Sequence, residues 1–193
     1  LVAVIDLAFI PCLAVIITLP LIKAKKYKNL MMTGLLSALF IANVMFHAEL
    51  LRFSENTLRP GIFFALDLIV LMIVIIMGRL IPFFSNKALG DESSKKLIWV
   101  ELISVLSIIF LILCDFHVLR GEWTKYLFAV FAFVHLMQMT LWGSLKVFTK
   151  PILLILYLAY ACLPLAFLIK AFAHLDPMGG HTAIHALSSG LIG

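Results

Sequence analysis

Apolar residues in this chain come in long runs separated by short polar breaks. Six runs, at about 1–22, 29–51, 61–81, 97–119, 126–149 and 151–173, are long enough to cross a bilayer. A span needs about 20 apolar residues, because a helix rises about 1.5 Å per residue and the hydrocarbon is roughly 30 Å thick. A seventh run begins near Thr182 and continues to Gly193, so 182–193 reads as the start of another span. None of the runs alternates apolar and polar residues over about ten positions, as a membrane-barrel strand does. Backbone in lipid has to satisfy its own hydrogen bonds, which leaves helices. The pattern predicts an all-α fold, a polytopic transmembrane helix bundle with six complete spans and the start of a seventh, forming a single membrane domain.

The breaks fit this division. Asn29 is placed to cap the second helix. Pro60-Gly61 and Pro151 stand where the third and sixth helices open and a missing N–H is harmless. Pro82 is expected to close the third helix. Pro11 and Pro164 fall inside spans and are expected to kink them. The longest polar stretch, Phe83 to Lys96, is too short for a separate domain. With Leu1 in place of an initiating Met and an apolar run reaching Gly193, the protein is expected to continue at both ends.

Composition supports a membrane protein. Hydrophobic residues make up 64% of the 193 positions and charged residues 13%, where a soluble domain carries about 25% charged residues. The mean hydropathy is +1.15. Residues 1–22 lack the basic start and small-residue cleavage site of a secretory leader. The net charge of +5 lies in the connections between spans and is not a nucleic-acid signature. Lys and Arg concentrate after spans one, three and five, at Lys23 to Lys28, Arg79 to Lys96, and Lys146 with Lys150. That side is predicted to be cytoplasmic. Cys12, Cys114 and Cys162 fall in three different spans without CxxC spacing and read as buried apolar thiols.

On that topology all six histidines, at 47, 117, 135, 174, 181 and 185, lie in the outer half. Imidazole ligates metals and haem, and an ionisable group inside a span marks a functional candidate. His181 and His185 share a helix face at i, i+4, with His174 and Met178 just upstream; a thioether beside imidazoles suits copper. Polar attraction to the membrane interface is the competing explanation for His117 and His174. His135 lies deeper, within an apolar run. Asn43 and His47, also at i, i+4, form either a ligand with its supporting partner or a packing hydrogen bond. Asp67 and Asp6 are carboxylates within spans, and Gln138 lies a turn beyond His135. An imidazole facing lipid would leave an N–H unsatisfied, so His47, His135 and His185 are expected to face the bundle. P-loop, dinucleotide, zinc-protease and nucleophile-elbow motifs are absent.

The run Gly78-Arg79-Leu80-Ile81-Pro82-Phe83-Phe84-Ser85-Asn86-Lys87-Ala88-Leu89 has a plain physical reading. Arg79 suits a helix C-terminus and the cytoplasmic interface, and the two Phe suit the interface. It also resembles the GR-hydrophobic-IPFFTxNAL signature of the NnrS family. Asp6-Leu7-Ala8-Phe9-Ile10-Pro11, Pro20-Leu21, Lys28-Asn29, Asn43 and His47 resemble the stretch preceding that signature. His185-Ala186-Leu187 with Gly190 and Gly193 resembles the start of the family's late HA-hydrophobic-G-hydrophobic-G motif. The resemblance implies a multi-pass bacterial inner-membrane protein, binding haem and copper and linked to nitric oxide metabolism and nitrosative-stress resistance. It also implies that this chain is roughly the second half of a longer protein.

The leading expectation is therefore a haem- and copper-binding membrane protein with nitric oxide as its small-molecule ligand. His47, His135, His181 and His185 are the cofactor-ligand candidates, and Asn43 and Asp67 are their supporting partners. His174, Met178, His181 and His185 form the metal-ligand candidate set. A transporter using buried Asp67, His135 and Gln138 is the alternative. A scaffold whose polar groups only fix helix packing is a third reading.

Overall fold

The computed structural model describes residues 2–90, 94–119, 121–143, 149–172 and 179–192, with the side chains of Val2, Lys28, Gly179, Gly180 and His181 excepted. Its elements are α1 (Val2–Lys23), a 3-10 turn (Tyr27–Asn29), α2 (Leu30–Leu50), α3 (Leu58–Leu89), α4 (Ile98–Asp115), α5 (Trp123–Leu141), α6 (Pro151–Phe172), α7 (Gly179–His185) and a π-helical segment (Ala186–Ile192). No strand occurs among the described residues. Among the described residues six helices, α1 to α6, are long and apolar enough to cross a membrane, and the seventh is short. The helices fall into two compact units, Leu1–Met72 and Ile73–Gly193, with α3 contributing to each.

In the first unit α1 packs on α2. Gly61 of α3 fits against α2 so closely that a β-carbon there would stand 3.0 Å from both the Ala42 carbonyl oxygen and the Met45 β-carbon. The start of α3 is held by α2 as well. The backbone N–H of Leu58 donates to Glu49 at 2.6 Å, and the Thr57 hydroxyl donates to the Met45 carbonyl at 2.9 Å. A carboxylate at a helix N-terminus satisfies free N–H groups and meets the positive end of the dipole.

In the second unit α5 packs on α4 and α6, and α6 also carries α7 and the π segment. The buried face of α6 runs through Leu153, Tyr157, Tyr160, Pro164, Phe167 and Ala171, a three-to-four-residue spacing that makes one helical stripe. Aromatic rings fill this core: Phe110, Phe128, Phe131 and Phe167 meet with centroids 5.3–6.2 Å apart. At its edge Lys170 donates to Asp115 at 2.6 Å, joining the ends of α6 and α4.

Several expected boundaries change. Asn29 makes no side-chain cap bond, because the chain enters α2 already helical through the 3-10 turn, with φ −88° and ψ −6° at Asn29. Pro82 does not end α3. The helix runs 32 residues to Leu89 and stops at Gly90, whose φ of +68° closes the end while its N–H reaches the Asn86 carbonyl at 3.0 Å. A proline is tolerated in a membrane helix because neighbouring groups take over the freed carbonyl. Cys12 is exposed on α1 rather than buried, and Cys114 and Cys162 are half-buried.

Candidate functional site

Polar side chains gather at two places, one in each unit. In the first, α2 presents Asn43 and His47 on one face, as their i, i+4 spacing requires. Both reach the same oxygen of Asp6 on α1. Asn43 Nδ2 donates to Asp6 Oδ2 at 3.0 Å, and His47 Nε2 lies 2.8 Å from it. His47 is 7% exposed, and the Phe46 ring stands edge-on to it at 5.3 Å. Its other nitrogen, Nδ1, is buried without a hydrogen-bond partner. Asp6 and Asn43 also line a cleft of about 430 Å³, walled mainly by apolar groups including Phe9, Phe46 and Ile62.

The second cluster centres on His135, which is fully buried. Because α5 begins at Trp123, His135 lies twelve residues along it, roughly 18 Å at about 1.5 Å per residue. Its Nδ1 is 2.8 Å from the Tyr160 hydroxyl and its Nε2 2.9 Å from the Ser107 hydroxyl. Tyr160 donates to Gln138 Oε1 at 3.0 Å, and Ser104 donates to the same oxygen at 2.6 Å. The Ser107 hydroxyl also donates to the Ser104 carbonyl at 2.7 Å. Since the Tyr160 proton points to Gln138, Tyr160 accepts from His135 Nδ1–H. Nε2 of the neutral ring then faces a Ser107 hydroxyl whose one proton is shared between it and the Ser104 carbonyl. Phe167 stacks on the imidazole at 5.4 Å with the planes 24° apart. Both nitrogens of His135 thus face hydroxyls, and α4, α5 and α6 are tied by one hydrogen-bond network.

The Gly78-to-Leu89 run splits by face. Gly78, Ile81, Pro82 and Ser85 are buried, whereas Arg79, Phe83, Phe84 and Lys87 are exposed. A β-carbon at Gly78 would stand 3.7 Å from Gln138 Nε2, so the first residue of the run adjoins the His135 cluster.

A model of the NnrS protein family matches residues 1–193. The chain belongs to the NnrS family. Neither a curated protein nor a solved structure matches this NnrS-family chain.

The remaining candidates are scattered. Asp67 is buried on α3. His174 and Met178 lie outside the described residues, as does the side chain of His181. His185 is exposed, contrary to the inward orientation expected for it. Ala183, Leu187 and Leu191 take the buried positions, and His185, two residues from the first two of these, falls on the opposite side. Gly190 explains part of the late motif: a β-carbon there would collide with the Cys162 thiol. Among the described residues no group of three or more His, Cys, Asp or Glu gathers in a metal-binding arrangement.

Sequence reasoning paired Asn43 with His47 but did not assign Asp6, Ser104, Ser107 or Tyr160. The signal for Asp6 was its carboxylate in an apolar run. For the serines it was their i, i+3 spacing in an otherwise apolar helix.

Proposed function

We propose that this NnrS-family protein is a haem- and copper-binding protein of the bacterial inner membrane that helps the cell withstand nitric oxide. The observation that carries the site is His47. One ring nitrogen is held by Asp6, and the other is buried without a partner. A buried polar atom of this kind costs free energy until something satisfies it, and the donor is one that haem iron and copper both accept. The residues present therefore fit a metal group at His47 better than at His135, where neither nitrogen is free. Asn43 and Asp6 support His47 from α2 and α1. The His174, Met178, His181 and His185 stretch remains the second ligand candidate.

A bound haem iron or copper ion supplies a coordination position for nitric oxide. The chain itself contributes an oriented imidazole and an apolar surround that keeps water away. The test is genetic. A strain lacking the gene is complemented with the full-length wild type or with His47→Leu, and growth is followed under a nitric oxide donor. Wild type is expected to restore growth and His47→Leu to fail while still inserting into the membrane. Equal rescue by both would overturn the role of His47. A permease built on Asp67, His135 and Gln138 would instead lose function in Gln138→Leu and carry no cofactor.

A further inference from the structure

We infer that Asp6 is a positioning residue which commits His47 to ligation through Nδ1, and that His47 therefore takes a small copper-class ion and not haem. This rests on the haem-and-copper reading above and divides it.

The bonding pattern fixes the tautomer. Asp6 Oδ2 already receives the Asn43 N–H at 3.0 Å, so it acts as an acceptor, and His47 Nε2 at 2.8 Å must bring it a proton. A neutral imidazole has one N–H, so the lone pair is left on Nδ1. That atom has less than 1 Å² of accessible surface and no hydrogen-bond partner. A carboxylate on the far nitrogen is the usual means of orienting a metal-bound histidine and raising its basicity.

Nδ1 is also the hindered nitrogen. It is bonded to the ring carbon that carries the side chain, so a flat macrocycle brought onto it runs into the β-carbon and the α2 backbone. Nε2, the open nitrogen, is covered by Asp6. A single ion with small ligands meets no such obstacle, and imidazole favours copper over the other common divalent ions. Because Nδ1 is enclosed, an ion reaches it only through side-chain movement, and the Phe46 ring 5.3 Å away is the adjacent aromatic group. The other deep imidazole, His135, has no free nitrogen, so the lone pair of His47 stands out between the two.

The test uses full-length protein purified in detergent, stripped and reloaded with copper(II) alone. Copper and haem are counted per mole, and paramagnetic resonance is recorded on protein carrying histidine labelled with ¹⁵N at Nδ1 or at Nε2. In the unsubstituted protein, the Nδ1 label is expected to change the directly bonded nitrogen coupling of one copper, a change that His47→Leu removes together with that copper while haem stays. Asp6→Ala is expected to weaken copper binding about 10–100-fold, with Asp6→Asn, which keeps an acceptor oxygen, falling between. Loss of haem with copper retained in His47→Leu would overturn the inference but leave the wider reading standing. Coupling that follows the Nε2 label, or copper affinity unchanged in Asp6→Ala, would also overturn it. Absence of both haem and copper from the unsubstituted protein would overturn the inference and the wider reading together.

Discussion

His135 and Tyr160 meet through a 2.8 Å contact from ring Nδ1 to phenol oxygen, deep in the second unit. With Ser107 on the other nitrogen, this makes His135 a member of a hydrogen-bond network joining three helices. Position alone made it an attractive ligand, being the deepest histidine in an apolar span. Its contacts tie α4, α5 and α6 together.

His135→Leu in the full-length protein should therefore lower thermal stability without lowering haem or copper content. Removing the ring takes one hydrogen bond from each of the Ser107 and Tyr160 hydroxyls, at about 1 kcal/mol each, while they keep the Ser104 carbonyl and Gln138. Tyr160→Phe should give a smaller loss of about 1 kcal/mol, in the range found for hydrogen bonds between membrane helices. Thermal unfolding in detergent, read beside cofactor content, checks both; a His135→Leu protein of normal stability that had lost haem would contradict them.

The Lys170–Asp115 pair at 2.6 Å is mostly buried, with side-chain exposures of 12% and 20%. Lys170→Met should cost on the order of 3 kcal/mol, because it leaves a carboxylate without its partner. Adding Asp115→Asn should recover much of that. A double-mutant cycle on unfolding midpoints measures the coupling, and strict additivity would show that the pair contributes nothing.

Gly61→Ala should destabilise by about 1–3 kcal/mol, the usual cost of overpacking. The new β-carbon would press on the Ala42 carbonyl and Met45 at 3.0 Å, within about a turn and a half of His47. Unfolding of the variant protein reads the effect, and an unchanged midpoint would mean that α2 gives way freely.

The helices were legible because lipid demands long apolar runs, and these survive any detail of packing. Their ends were not. Proline 82 looked like a stop, yet the stop is Gly90, whose left-handed φ of +68° is a local backbone property. The site was legible only where both partners lie on one helix, as Asn43 and His47 do. Asp6 comes 41 residues before His47, and only the packing of α1 on α2 brings them together. Tyr160 was hidden for a different reason. In an apolar helix its ring reads as core, and the sequence does not show that its hydroxyl faces an imidazole.

The excess of Lys and Arg after spans one, three and five predicts that those connections face the cytoplasm. In a cysteine-free background, Glu55→Cys should label rapidly with an impermeant thiol reagent in intact spheroplasts, and Lys96→Cys should not. The reverse pattern would invert the topology.

The most direct test of the central claim is the cofactor inventory of the full-length wild-type protein. Haem and copper are counted per mole after purification, and the optical spectrum of the reduced protein is recorded before and after nitric oxide is added. A strong Soret band that shifts with nitric oxide, together with bound copper, is the predicted result. A protein with neither Soret absorbance nor copper would contradict it.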